Sequence, residues 1–579
     1  MNRPDPVSAS IVRSAVASTA REVFDQFVRT ALTPLIYEAR DFSVAMFDNE
    51  VNVIADASGL PEYVGSLAFT TERLVERFAE APLRDGDVAV CSEPFLTGAH
   101  PPDIAVVSPA YVGDRLVGYC ALRGHMGDVG ARTAEPADSN SVYEEGMVLP
   151  PLRMVDAGRF DETVALIVGA NSRMPRETVG TLRAAAGAVR AGASRMSRIV
   201  ATHGEPAFRL AVDELLTRGE REVREVIARI PDGDYVVHDQ LDHNVVGDQP
   251  VPLVCRVRVS GSDIEVDVTG SSDQLPGALN VPFAQTVAAC RLAIKRLTTQ
   301  DRNPANSGEY RVLSVIAPRG SIFNAEPPAG TFMMHTTASL LSEMIVTALQ
   351  PALPDIIPAP SGGHTTAYVG AITHNGRYLQ TDDSAPIGYG AIRGADGASA
   401  LQHFSIAGIA LAPAEVWEAR APIMKVRYAL TTDSGGAGAW RGGLGATVQW
   451  RFETDAVLGF QVQRTSRPLL GGPEGGRPPR GRNDVQIGTG AADDVAYTAC
   501  TDVVIAPGQT LTLNAAGGAG FGDPCARDVD AVLRDVQDGF VSVRAAAEDY
   551  GVVIDPTRST INHDETQRLR QDRHGEAQA

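Results

Sequence analysis

Residues 98–130 read Gly98-Ala99-His100-Pro101-Pro102-Asp103-Ile104-Ala105-Val106-Val107-Ser108-Pro109-Ala110-Tyr111-Val112-Gly113-Asp114-Arg115-Leu116-Val117-Gly118-Tyr119-Cys120-Ala121-Leu122-Arg123-Gly124-His125-Met126-Gly127-Asp128-Val129-Gly130. The apolar run 104–107 reads as a strand. Tyr111-Val112 and 116–122 flank Gly113-Asp114 and read as a hairpin. His100 and His125 fall in polar, glycine-bearing loops at strand ends, the usual place for chemistry.

Upstream, Ile11, Val12, Ala15, Val16, Ala20, Val23, Phe27 and Ala31 recur at helical spacing, so 7–33 reads as an amphipathic helix stopped by Pro34. Residues 41–47 and 51–55 read as a strand pair, 69–79 as a helix and 87–91 as a strand. Downstream, 176–230 reads as two helices broken near His203-Gly204-Glu205-Pro206, a packing and subunit-interface scaffold. After Pro231-Asp232-Gly233-Asp234 come a hairpin, 253–259 with 264–268, and helices at 284–297 and 336–349. From about residue 415, short strands (426–430, 446–452, 456–463, 511–513) alternate with glycine-rich turns. Short helices follow at 529–535 and 543–550. Residues 562–579 are polar without periodicity and are expected to fray. The expected class is α+β, in several parts. Residues 1–232 form a mixed body with long N-terminal helices that holds the site. Residues 233–414 form a central α/β segment, 415–555 a β-rich C-terminal layer and 556–579 a polar tail.

The chain has 579 residues, about four domains' worth at roughly 150 each. Asp and Glu outnumber Lys and Arg by 71 to 51, a net charge of -20. That balance disfavours nucleic acid or an anionic membrane as partner. Only Lys295 and Lys425 could serve Schiff-base chemistry, and neither sits in a motif. Six scattered cysteines without a CxxC pair read as reduced thiols. Residues 1–10 lack the apolar core of a signal peptide, and no run reaches the roughly 18 apolar residues that span a bilayer. A soluble, cytoplasmic protein is expected.

His100 and Asp103, three apart on a turn, can face one point, and His125 arrives from a neighbouring strand end. Two imidazoles with one or two carboxylates suit a divalent first-row metal with open positions. The competing reading is a pair of loop histidines hydrogen-bonded to backbone. From its residues alone Asp41 reads first as a strand acid paired with Arg40 or Arg123, and only second as a further ligand. The clusters at Asp433-Ser434-Gly435-Gly436 and Gly518-Ala519-Gly520-Phe521-Gly522 lack a βαβ setting. They read as tight turns needing φ > 0, not as phosphate or dinucleotide loops.

From about residue 7 to 552 the chain resembles the hydantoinase B / 5-oxoprolinase C-terminal family. The resemblance is carried by Glu38-Ala39-Arg40-Asp41-Phe42-Ser43, Gly98-Ala99-His100-Pro101-Pro102-Asp103, His125-Met126-Gly127-Asp128-Val129-Gly130 and Glu145-Gly146 ahead of Leu149-Pro150-Pro151. It continues through Asp433-Ser434-Gly435-Gly436-Ala437-Gly438, Trp440-Arg441-Gly442-Gly443-Leu444-Gly445 and Gly517-Gly518-Ala519-Gly520-Phe521-Gly522-Asp523-Pro524. Related members include the smaller subunit of ATP-dependent caprolactamase and the metal-bearing subunit of acetone and acetophenone carboxylases.

The resemblance implies one divalent ion (zinc, manganese or iron) on Asp41, His100, Asp103 and His125. It also implies a larger hydantoinase A-like partner of actin-like fold, two copies of each subunit, that binds ATP and phosphorylates the substrate. The chain itself has no G-x-x-x-x-G-K-[ST] loop. The implied activity is ATP-dependent opening of a hydantoin, lactam or 5-oxoproline-like ring, with no activity from this chain alone. The alternatives are a ketone carboxylase subunit that uses bicarbonate, or a non-catalytic structural subunit. Asp128 is the first choice for an acid that orients His125 or takes a proton, with Glu145 behind it. Arg123 would hold an anionic intermediate or pair with a nearby acid.

The chain departs from the family at Tyr63 and Met126, where many members carry histidine, and at Ser92-Glu93-Pro94 in place of Asn-Asp-Pro. It also has apolar residues at 406–411 where others have an Asn/Thr-rich loop. Tyr63, Glu93 and Met126 are therefore expected to line the substrate site.

Overall fold

The computed structural model describes residues 6–298, 305–364, 366–465, 470–489 and 494–578. Residues 1–5 of the N-terminal stretch and the side chain of Cys500 lie outside the described part. The other five cysteines are free thiols.

The hairpin read from 98–130 is the centre of a seven-stranded antiparallel sheet. Its order is Val53–Ser58, Phe42–Asp48, Arg115–His125, Asp103–Val112, Val88–Cys91, Leu152–Asp156, Arg159–Phe160. Phe42–Asp48 is buried along its whole length, because both faces of the sheet are covered. Helices Pro6–Thr30 and Pro175–His203 cover one face, through Val12, Val16, Phe27, Val189 and Met196. Helix Pro61–Arg77 covers the other through Val64, Leu67 and Leu74. Pro109 does not interrupt its strand. The neighbouring strand Val88–Cys91 pairs only as far as Val107, so Pro109 lies on a stretch of edge, where proline is tolerated.

The register places the site. Asp103 pairs directly with His125, Phe42 pairs with Gly124, and the His125 amide donates to Asp41 O at 3.1 Å. Asp41, Asp103 and His125 thus sit at one end of three adjacent strands. Helix Pro61–Arg77 starts eight residues before the expected 69, with proline in its first turn, which brings Tyr63 beside that end.

The central segment has a four-stranded sheet, Leu313–Ile316, Asp263–Asp267, Val251–Ser260, Gly233–Leu241, packed on helices Phe283–Thr298 and Met334–Leu349. The C-terminal sheets share a core around Trp450, Phe452 and Tyr368. One of them joins Arg377–Ala385 and Thr366–His374 to Ala456–Gln461 and Ala499–Ile505, and so spans residue 414.

Two expectations are corrected. The tail is helical, His563–Gln578, and docked. Arg570 donates to Tyr550 O (3.0 Å) and Arg527 O (2.9 Å), and Arg573 to Ala547 O and Glu548 O (both 2.9 Å). These guanidiniums cap the end of helix Val543–Tyr550, where carbonyls lack partners within the helix. Within the glycine clusters only Asp433 (φ 64°) and Gly522 (φ 75°) adopt positive φ; the other glycines are not at positive-φ turns. The clusters are extended chains packed backbone against backbone: Gly518 N donates to Gly443 O at 2.9 Å and Gly443 N to Tyr389 O at 2.8 Å. A Cβ on Gly518 would stand 2.1 Å from the Tyr389 carbonyl. Close approach, not turn geometry, demands the glycine.

Candidate metal centre

His100 Nδ1 lies 2.9 Å from Phe332 O. A carbonyl only accepts, so Nδ1 carries the proton, and in the neutral ring Nε2 presents a lone pair. That nitrogen faces Asp103 Oδ1 at 3.0 Å and His125 Nδ1 at 3.2 Å, and His125 Nδ1 lies 3.4 Å from the same Oδ1. Tyr63 Oη reaches Asp103 Oδ1 at 3.0 Å and Asp41 Oδ1 at 3.2 Å. One phenolic proton thus stands between a buried carboxylate, Asp103, and a half-buried one, Asp41.

The electrostatics draw positive charge to this point. Against the upward push of burial, His100 and Arg123 hold the Asp103 carboxyl well below its ordinary range. Burial raises Asp41. Burial pushes His125 down, yet Asp103 and Asp41 raise it to about 9. Three donor atoms converging within 3.4 Å, in a field that favours cations, fit a divalent ion that would take the place of the His125 proton. The Phe332 carbonyl fixes the His100 tautomer, as metal-bound histidines require.

The remaining expected residues separate. Tyr63 lines the cavity below these groups. Arg123, fully buried, pairs with Asp103 (Nη2–Oδ2 2.9 Å) and lies over the Tyr63 ring at 4.2 Å, so it is not the partner of Asp41. Glu145 stands behind His100. It accepts from Phe332 N at 2.9 Å, Thr331 N at 2.6 Å and Ser139 Oγ at 2.5 Å, and so fixes the carbonyl that orients the imidazole.

Asp128, Glu93 and Met126 are corrected. Asp128 is taken up by Arg173, whose Nε approaches it at 3.1 and 3.2 Å and whose amide also donates to it. Its carboxylate faces the helix Pro175–His203 side, not His125. Met126 is fully buried in the core under the sheet, since consecutive residues at a strand end point to opposite faces. Glu93 turns the chain into helix Pro94–Thr97 with its carbonyl and does not line the cavity.

Glu145→Ala is expected to weaken metal affinity about 10- to 100-fold without abolishing the site. Chelator competition would measure it. Unchanged affinity would show that the Phe332 carbonyl holds His100 unaided.

The centre heads a cavity of about 200 Å³ whose walls include residues missed in the sequence: Glu62, Glu135, His335, His364, Gln380 and Asp382. Burial raises Glu62 and Glu135 to about 8 and Asp382 to about 7. Burial and neighbouring imidazoles push His335 well below its ordinary value. Asp382 and Gln380 ride on the hairpin Thr366–His374/Arg377–Ala385. Its Asn375-Gly376 turn, with φ 51° and 73°, is a strong hairpin signal that could have located them.

Caprolactamase subunit beta of Pseudomonas jessenii is 29% identical over 574 residues, 96% of this chain and 97% of that one. The crystal structure of ATP-dependent caprolactamase from the same organism superposes with a TM-score of 0.89 at 25% identity, covering 98% and 100% of the two chains. A nucleotide-free acetone carboxylase shares the fold, with a TM-score of 0.87 at 16% identity over 99% and 83%. No helix among the described residues is long and apolar enough to cross a membrane. The model of one sequence family matches residues 5–524, a span that holds His100, Asp103, His125 and every wall of the cavity they head, and the chain belongs to that family, Hydantoinase B/oxoprolinase.

Proposed function

We propose that this chain is the metal-bearing subunit of an ATP-dependent cyclic amidohydrolase. It acts on a ring amide that a partner subunit has phosphorylated. The observation that carries this reading is the convergence of His100 Nε2, Asp103 Oδ1 and His125 Nδ1 at the head of a walled cavity. Family membership and the likeness to caprolactamase subunit beta support the ring-amide chemistry and the partner.

An unstrained amide resists water because resonance makes its carbonyl a poor electrophile. Phosphorylation of the carbonyl oxygen at the partner's ATP site removes that resonance. His100, Asp103 and His125, with Asp41 joined through Tyr63, would hold the divalent ion. Such an ion supplies Lewis acidity and brings the pKa of water towards neutrality. Once water has added, the carbon carries nitrogen and phosphate as rival leaving groups. Loss of phosphate restores the amide and wastes the ATP; loss of nitrogen opens the ring to an acyl phosphate, whose hydrolysis by a second water gives the carboxylate and releases phosphate. Nitrogen leaves only with a proton. Glu135, in the cavity wall and raised by burial to about 8, carries one at pH 7.

The test is an assay of the chain with its ATP-using partner on an unsubstituted lactam. Ring opening is expected to require both subunits, ATP and about one divalent ion per copy of this chain. Ring opening without ATP would sink the reading. Fixation of labelled bicarbonate into a ketone would replace it with the carboxylase one.

A further inference from the structure

A second cavity, of about 770 Å³, lies against the first. Segments 39–41, 60–64 and 404–409 line both, so one layer of chain separates them. Asp41 lines the metal side and Arg40 the other. Arg40 has φ 61°, a left-handed backbone that long side chains rarely adopt.

The lining of this second cavity is cationic, in a chain whose net charge is -20. It holds Arg21, Arg40, Arg291, Lys295 and Arg296 against Asp25 and Asp56. Lys295 is neutralised by Glu309 at 2.6 Å. The Asp56 oxygens accept from Ala305 N at 2.8 Å and Ser58 Oγ at 3.0 Å. The four guanidiniums form no ion pair among the described residues. Glu72 and Glu343 act on Arg291 and Arg296 only through the field, at longer range than an ion pair. Arg21 and Arg40 are exposed.

Arg291 is the pivotal cation. It is half-buried, against the rings of Phe69 at 5.1 Å and Tyr310 at 5.2 Å. Its Nη1 donates to Gly65 O at 2.8 Å. Its Nε and Nη2 meet no acceptor, and both keep accessible surface. Burial pushes this guanidinium below its ordinary value. A cation so placed costs free energy until an anion joins it, and the two rings offset only part of that cost.

We propose that this cavity is a second ligand site, for a phosphoryl group held by Arg291 and the guanidiniums around it. The planar N–H fork of arginine matches phosphoryl oxygens. The reaction proposed above supplies two such anions, the phosphorylated ring and the phosphate it releases, and the inference rests on that reading only for which of them binds. Phe24, Leu292 and Phe404 add apolar surface to the lining, and the volume admits a ring beside the phosphoryl group. The phosphorylated ring is therefore the better fit.

Phenyl phosphate, standing in for the phosphorylated ring, and inorganic phosphate are titrated calorimetrically into the full chain at fixed ionic strength. Phenyl phosphate is expected to bind with a Kd below about 1 mM, and about tenfold tighter than inorganic phosphate. Arg291→Gln keeps a donor for Gly65 O and removes the charge, so it should weaken phenyl phosphate at least about tenfold. Arg40→Gln, at an exposed position, should weaken it about threefold. His100→Ala, which is expected to empty the metal centre, should leave binding within about twofold, and so separates this site from phosphate held by the metal. Thermal unfolding of each variant checks that the fold is kept. No binding of either probe overturns the inference, as does binding that both arginine variants keep or that His100→Ala abolishes. Inorganic phosphate binding as tightly as phenyl phosphate upholds the site and makes released phosphate its ligand. The expected binding pattern in a protein whose complex opens no ring with ATP upholds the site and removes the hydrolase reading.

Discussion

His100→Ala is expected to cut bound divalent metal from about one ion per chain to below a tenth, and ATP-coupled ring opening by about a thousandfold or more. His100 is the hinge of the centre. Its Nδ1 is tied to Phe332 O at 2.9 Å, which leaves Nε2 facing both Asp103 and His125. Alanine removes the nitrogen common to both short contacts. What remains at the point of convergence is one carboxylate oxygen, already engaged by Tyr63, and one imidazole.

The control is His335→Ala. His335 lines the same cavity, but it lies outside the group whose donor atoms converge. It should keep its metal. Elemental analysis of both variants beside the wild type, prepared without chelator, makes the measurement. Metal retained in full by His100→Ala would place the ion elsewhere. A wild type with no metal, and none taken up on titration, would favour the structural-subunit reading.

The centre was legible because its signal is local. Strand ends, a tight Gly113-Asp114 turn and a His-x-x-Asp spacing all lie within 28 residues, and hairpin register does the rest. Asp41 was less so: the residues alone favoured a strand acid paired with arginine, and only the pairing of its neighbour Phe42 with Gly124, with the His125 amide on the Asp41 carbonyl, brings it near. Asp128 misled because closeness in sequence to His125 says nothing about direction, and Arg173, forty-five residues on, takes its carboxylate. The cavity walls come from residues around 62, 135, 335, 364 and 382, which no local pattern links. The glycine clusters were visible but ambiguous, since a glycine needed for φ > 0 and one needed for close approach look alike in a sequence. The tail helix is polar all round, so nothing periodic announces it; the carbonyls of helix Val543–Tyr550 hold it in place.

Arg123→Ala is expected to destabilise the N-terminal sheet by about 3–5 kcal/mol. Arg123 is wholly buried, as is Asp103, and the two meet at 2.9 Å. Its Nη1 also donates to Ser66 Oγ and reaches Thr97 O at 3.5 Å. Burying such a pair gains little over apolar residues of similar size, but removing one partner strands the other charge. Alanine would leave Asp103 without its cation and the Tyr63 face without the guanidinium 4.2 Å above it. Part of the loss would be relieved by proton uptake on Asp103, whose carboxyl Arg123 helps hold down. Proton uptake removes a metal ligand, so metal affinity should fall as well. The midpoint of the first urea transition, with and without added metal, separates the two effects. Arg123→Lys should recover less than half of the loss, because an ammonium cannot span Asp103, Ser66 and Thr97 at once. Adding Asp103→Asn to Arg123→Ala should recover stability but not metal binding, since it removes the stranded charge along with the ligand. A loss below about 1 kcal/mol in Arg123→Ala would mean that Asp103 finds its compensation in the metal centre itself. In that case the added metal, not the guanidinium, would set the stability of this end of the sheet.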